Sequence, residues 1–344
     1  MKNSKEIDIA QKLIRCKSIA PKDGGALKIV EKKCKSMGFK CTKLRFAEKG
    51  FDTINNLYAE IGNGKPHFSF AGHVDIVPAD KKEWKVDPFE GKIKNNFLIG
   101  RGACDMKSAI ACFLSAAKNY LGENKNFKGK ISIIITGDEE TYAVNGTKKI
   151  LIWLKKKKIK IDNCLVGEPT NLKVLGDQIK IGRRGGFNGT VEVQGKAGHS
   201  AWPSRTINPI PALMKMLNNI DKKILDKGTK HFQPSIISIT SIDVGNEALN
   251  VIPAKARGSF NIRFNPRHTI KSLTKWIKKE FNKVGFKYKL ETYVSGNAFL
   301  TKPGKFSELI KKCVKKITRR NPKYATDGGT SDARFIKDYT NVVE

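Results

Sequence analysis

Acidic residues are few in this chain: 32, against 66 lysines and arginines in 344 residues, which leaves a formal charge of +34. Histidine is scarcer still, at five, so each imidazole is conspicuous. The seven cysteines are odd in number and scattered, with no C-x-x-C pair. That excludes a disulfide scaffold or a cysteine-built zinc site and suits a reduced, cytoplasmic protein. Long apolar runs are missing as well. The strongest, residues 131–135 around Ser132, is far short of the ~20 residues of a membrane span. The opening MKNSKEIDIAQKLIRCKSI lacks the apolar stretch of a secretory signal. Repeats and low-complexity linkers are absent. At 39% hydrophobic and 28% charged, the composition is too apolar for a disordered chain.

What is abundant is lysine. Only twelve of the 66 basic residues are arginine, and the lysines are spread along the whole chain. The run Lys155–Lys158 follows Leu151, Ile152, Trp153 and Leu154 and reads as the exposed end of a helix. No arginine-rich or aromatic-interleaved stripe points to nucleic acid. The field fits an acidic small-molecule substrate, with no membrane partner.

Helical spacing is visible at Ile7, Ala10, Leu13 and Ile14, and again at Leu27, Val30, Cys34 and Met37 before Gly38. Strands are expected at 56–61, 68–71, 131–136 and 164–166, with a helix starting after Asp105. Strands alternating with helices predict an α/β layer with a mostly parallel sheet. Near residue 180 the pattern changes. Phe187, Val191 and Val193 alternate with polar residues, as in a half-buried strand. A helix (Ile210, Leu213, Met214, Leu217), strands at 235–242 and 256–264, a helix ended by Gly285 and a strand at 287–294 follow. That order is βαββαβ, a ferredoxin-like module inserted into the first domain. The expected division is a catalytic domain over 1–178 and 293–344, with the inserted dimerisation or lid domain over 179–292.

Chemistry-bearing residues fall where strands run out: His73 with Asp75, Glu139 with Glu140, and Glu168. Asp105 lies in a glycine-rich turn before a helix. The steps between them are 32, 34 and 28 residues, each about one βα unit. The chain can therefore return to one sheet edge each time, where α/β proteins bind ligands. Singly, each residue is ordinary: a turn histidine, a solvated glutamate pair, an N-cap aspartate. Together they make an imidazole-and-carboxylate set suited to Zn²⁺. Crowded carboxylates raise one another's pKa, and cations relieve that cost.

The segments SFAGHVDIVP, GRGACDMKSAIACF, ITGDEETYAVNGT, VGEPT and IGRRG resemble the dizinc amidohydrolase and peptidase superfamily that includes aminoacylase, acetylornithine deacetylase and succinyl-diaminopimelate desuccinylase. DEETYAVNGT, KIGRRGGFNGTVEVQGKAGHSAWP and GGTSDARF bring the chain nearest the desuccinylase branch. The resemblance spans essentially the whole chain. It implies two Zn²⁺ per subunit, with Co²⁺ able to substitute. His73 and Glu168 would hold one metal, Glu140 the other, and Asp105 would bridge. Asp75 would orient His73, and Glu139 would act as general base. His199 would reach the partner subunit's site in a homodimer and stabilise the oxyanion. The implied substrate is N-succinyl-LL-2,6-diaminopimelate, with contacts from Arg183, Arg263, Asn250, Gly329, Thr330 and Ser331. Arg184 is the less favoured member of its pair. The family also has a last zinc histidine beyond GGTSDARF, whereas no histidine follows His268 here. The expectation is therefore a C-terminally truncated chain whose second metal site lacks its imidazole. Two alternatives stand beside this reading: a sister acetylornithine deacetylase or dipeptidase, and a non-catalytic basic binding protein.

Overall fold

A computed structural model describes residues 4–344. It divides into two compact units. One runs to Ile181 and takes in Thr301–Tyr324 and Ser331–Glu344; the other comprises Gly182–Leu300 and Ala325–Thr330. The second unit thus ends later than residue 292 and includes a short piece of the later chain. Hydrophobic periodicity marks the change near residue 180 and not the later ones.

In the first unit the helices α1 (Lys5–Arg15) and α2 (Ala26–Ser36) precede the strands β1 (Lys40–Phe46), β2 (Ile54–Asn63) and β3 (His67–His73). Then come α3 (Ser108–Glu123), β4 (Gly129–Thr136), α4 (Thr147–Lys156) and β5 (Asn163–Val166). The sheet order is β1-β2-β4-β3-β5, completed by the strand Asn341–Val343. β1–β2 and β2–β4 pair antiparallel; β3 is parallel to both β4 and β5, and β5 to Asn341–Val343. The expected α/β layer is present, with its parallel part running from β4 through β3 and β5 to the edge strand Asn341–Val343.

Sequence pattern explains the layering. In β4, Ile133 and Ile135 face one side and join a core with Leu13, Val30, Ile110 and Leu114 from α1, α2 and α3. On α4, Ile150, Leu151 and Leu154 are buried, and its Trp153 ring lies 5.5 Å from that of Tyr58. Helices therefore cover the sheet on both faces, which is why its central strands β3 and β4 are mostly apolar, broken only briefly by the buried Ser69 and Ser132. After α2 the chain reverses at Gly38, whose φ of +88° is open to glycine and strained for other residues.

The second unit carries β6 (Gly185–Gln194), α5 (Pro209–Asp221), β7 (Ile236–Asp243), β8 (Lys255–Phe264), α6 (Ile270–Asn282) and β9 (Tyr288–Gly296). Its antiparallel sheet has the order β7-β8-β6-β9, the expected βαββαβ arrangement. Phe187, Val191, Phe260 and Ile262 meet Leu213, Leu217, Ile277 and Phe281 in a separate core. No helix among the described residues is long and apolar enough to cross a membrane.

Candidate active site

Three parallel strands end together. His73 pairs in register with Thr136, and Ala71 with Val166, so the carboxyl ends of β3, β4 and β5 share one edge. The backbone then delivers His73, the loop with Glu139 and Glu140, and Glu168 to the same rim. Asp105 arrives from a single π-turn, Ala103–Lys107, which leads into α3. The expected plain helix start is thus a wider turn, and Asp105 itself is non-helical there (φ −121°, ψ 97°).

Two glycines make room for this turn. A Cβ on Gly72 would lie 2.5 Å from Met106 Cε, and one on Gly167 would lie 2.8 Å from the same atom. Met106 is fully buried beneath the rim, and its sulfur accepts a 3.4 Å hydrogen bond from the His73 backbone N–H. The small residues before His73 and Glu168 thus let the residue after Asp105 seat itself between them.

The donor atoms converge. His73, Asp105 and Glu168 each offer one ligand atom, and these lie within 4.8 Å of one another. His73 Nε2 is 3.0 Å from Asp105 Oδ1 and 3.5 Å from Glu168 Oε1. Two ligands each 2.0–2.2 Å from a tetrahedral zinc would sit roughly 3.3–3.6 Å apart, close to what is observed. The other imidazole nitrogen, Nδ1, lies 3.0 Å from the Asp75 backbone carbonyl, which makes it the protonated one and turns the Nε2 lone pair inward. The donor set therefore fits a divalent cation.

Asp75 faces His73 Nδ1 with both its backbone and its side chain. Its carbonyl makes the close contact, while its carboxylate stands 3.6 Å from Nδ1. Asp75 Oδ2 instead accepts the Glu140 backbone N–H at 2.8 Å and so fixes the glutamate loop.

The electrostatics also suit a cation. Burial disfavours protonation of His73, but Asp105, Asp75, Glu139 and Glu168 outweigh it and hold the imidazole well above its ordinary pKa. Burial, then the charge of Asp332, pushes Glu139 well up. Burial also raises Glu140, with Asp105 and Asp75 adding to the effect. Two residues within GGTSDARF that carried no expected role belong to this cluster. Arg334 Nη1 lies 3.6 Å from Glu139 Oε1, and its Nη2 lies 3.7 Å from Asp332 Oδ1. Only their position inside that motif could have flagged them.

The remaining expected site residues fall as follows. In the second unit, His199 is exposed, with Nδ1 accepting the Ala201 N–H at 3.1 Å and Nε2 3.4 Å from Asn250 Nδ2. Arg183 is buried and donates to the Gly329 carbonyl at 3.2 Å. Arg263 sits opposite Gly186 in the β6–β8 ladder. Arg184 is also buried, and burial followed by the Arg263 charge lowers its pKa. Thr330 Oγ1 is buried without a hydrogen-bond partner among the described residues. Ser331 lies in the first unit, where its buried hydroxyl donates to Glu344 Oε1.

Comparison with known proteins bears on these observations. The profile described as Peptidase family M20/M25/M40 matches residues 69–343. A Parvibaculum lavamentivorans protein named succinyl-diaminopimelate desuccinylase is 50% identical over 343 residues, 98% of this chain and 86% of that protein. A Pelagibacter ubique protein of the same name is 51% identical over 344 residues, 98% of this chain and 90% of that protein. Among solved structures, an M20 family metallo-carboxypeptidase from Sulfolobus solfataricus matches with a TM-score of 0.79 at 19% identity, covering 99% of this chain and 91% of its own. The di-peptidase Dug1p from Saccharomyces cerevisiae matches with a TM-score of 0.77 at 17% identity, covering 98% and 88%.

Proposed function

The chain belongs to peptidase family M20/M25/M40, and from that premise we propose that it is a metal-dependent amide hydrolase that removes succinate from N-succinyl-LL-2,6-diaminopimelate, giving LL-2,6-diaminopimelate and succinate. The observation that carries this reading is the convergence of His73, Asp105 and Glu168 within 4.8 Å at one sheet rim. Relatives about half identical along 98% of the chain, and named for this reaction, support the choice of substrate.

Two Zn²⁺ are the proposed cofactors. His73 and Glu168 would hold one and Glu140 the other, with Asp105 between them. Bound there, the cations would supply a Lewis acid and a lowered water pKa. Asp75 keeps the Nδ1 proton of His73 in place through its carbonyl, leaving Nε2 free to ligate. Glu139 takes the proton of the attacking water and passes it to the departing amine nitrogen as the C–N bond breaks. Arg334, buried beside Glu139, holds that carboxylate in the cluster.

Arg183, Arg263, Asn250, Gly329 and Thr330 form the proposed carboxylate-binding shell, with guanidinium groups providing the charge-assisted contacts. Ser331, whose hydroxyl donates to Glu344 Oε1, is the further proposed contact. A cytoplasmic homodimer, with His199 stabilising the oxyanion, completes the proposal. The test is hydrolysis of N-succinyl-LL-2,6-diaminopimelate against N-acetylornithine by the purified, zinc-loaded protein. The expected result is a higher kcat/KM on the succinyl substrate; a higher value on acetylornithine would assign the chain to the sister activity.

A further inference from the structure

Asn56 lies within β2, 1% exposed, beside buried Leu57 and Tyr58. A carboxamide there is costly unless its polar atoms are paired. Its Nδ2 donates to the Asn145 carbonyl at 3.0 Å and the Ile54 carbonyl at 3.3 Å, and its Oδ1 accepts from Thr136 Oγ1 at 2.8 Å. The Asn145 and Thr136 bonds run away from β2, to the loop 137–146 and to the last residue of β4.

That loop carries Glu139 and Glu140, and it is closed on itself. The Asn145 N–H donates to Asp138 Oδ2 at 2.8 Å, and the Thr141 hydroxyl donates to the other Asp138 oxygen. Asn145 Nδ2 donates to the Asp52 carbonyl at 2.8 Å. Asp138 and Asn145 are 4% and 0% exposed. At the loop's exit, a Cβ on Gly146 would lie 2.2 Å from Thr136 Oγ1 and 3.2 Å from Asp138 Cβ. The ring of bonds from Asp138 to Asn145 therefore hangs on the hydroxyl and carboxamide of Thr136 and Asn56. Buried networks of this kind hold one geometry and tolerate little change; in this one Asn145 Oδ1 has no hydrogen-bond partner among the described residues, while Asn56, Thr136 and Asp138 are paired.

We propose that Asn56 is a positioning residue for Glu139 and Glu140, acting through Asn145 and Asp138 to fix the loop that presents both carboxylates at the rim. The inference rests on the reading of Glu139 as base and Glu140 as metal ligand. Asn56 sets where they stand and takes no part in bond making.

The experiment compares wild type, Asn56→Ala and the exposed-neighbour control Asn55→Ala. Two readouts are used: steady-state kinetics per folded subunit, and backbone hydrogen exchange of the metal-free protein. A displacement near 1 Å can cost about a hundredfold in rate. Asn56→Ala is therefore expected to lower kcat roughly 10- to 100-fold, with KM within about twofold, while Asn55→Ala stays near wild type. Exchange across 138–145 should rise at least about tenfold, with β2 and β4 remaining protected. Should Asn56→Ala fail to fold, Thr136→Val, which removes the hydroxyl that fixes Asn56 Oδ1, carries the same test. Unchanged exchange across 138–145 would overturn the inference, as would a lowered melting temperature with kcat within about twofold of wild type. Exchange needs neither metal nor substrate. If the wild type hydrolyses no succinyl amide, the functional reading fails and the exchange result still decides the role of Asn56.

Discussion

Replacing Asp226 with asparagine tests how the second unit holds its connections. Asp226 Oδ1 accepts from Gly228 N–H at 2.6 Å and Asn265 Nδ2 at 2.5 Å; Oδ2 accepts from Ser235 N–H at 3.2 Å and His268 Nε2 at 3.0 Å. One carboxylate thus ties the segment leading into β7 to the turn between β8 and α6. In the asparagine variant, one former oxygen becomes a donor and must face two donors. Losing two charge-assisted bonds, and leaving their N–H groups poorly paired, amounts to about 3 kcal/mol. Burial pushes the Asp226 carboxyl up, but the bonds from Ser235, Gly228, Asn265 and His268 prevail and hold it at about 2, against an ordinary 3.8. The folded pKa lies below the unfolded one. The stabilisation is therefore complete above about pH 4 and is lost as pH falls through the folded value near 2. Urea unfolding at pH 7 and pH 3, followed by tryptophan fluorescence, should show a gap of about 3 kcal/mol at pH 7 that narrows at pH 3. A gap below about 1 kcal/mol at pH 7, or one equal at both pH values, would refute the reasoning.

Other outcomes follow from the rim and the charge. Glu139→Gln should lower kcat by about 10²–10⁴ while bound zinc, counted by plasma mass spectrometry, stays at the wild-type level. Gly167→Ala would place a methyl 2.7 Å from Phe70 Cζ and 2.8 Å from Met106 Cε. It should cost about 1–3 kcal/mol in thermal unfolding and weaken zinc binding by displacing Glu168. With a formal charge of +34 and an anionic substrate, kcat/KM should fall as salt is raised from 20 to 300 mM, while kcat holds steady in stopped-flow and steady-state assays.

Much of the site was legible because of where its residues fall. His73, Glu139, Glu140 and Glu168 each follow an apolar run strong enough to be a central strand, and strand ends of a parallel sheet share one edge. Asp105 was legible through its spacing. Its π-turn was not, because that turn depends on Met106 fitting against Gly72 and Gly167, which are distant in sequence. β1 escaped notice because it is an edge strand: Leu44 is its only buried residue, and lysine and arginine interrupt any alternation. Asn56, Asp332 and Arg334 gave no signal of their own, since a polar residue declares its role only through partners far along the chain. The bond from the Ser331 hydroxyl to Glu344 was hidden in the same way.

The central claim is that one imidazole and several carboxylates meet at this rim to hold divalent cations. Anomalous diffraction at the zinc edge from zinc-equilibrated crystals measures that most directly. The account predicts a peak about 2.0–2.2 Å from His73 Nε2 and from carboxylate oxygens of Asp105 and Glu168. Ordered side chains at those three positions with no peak between them would contradict it.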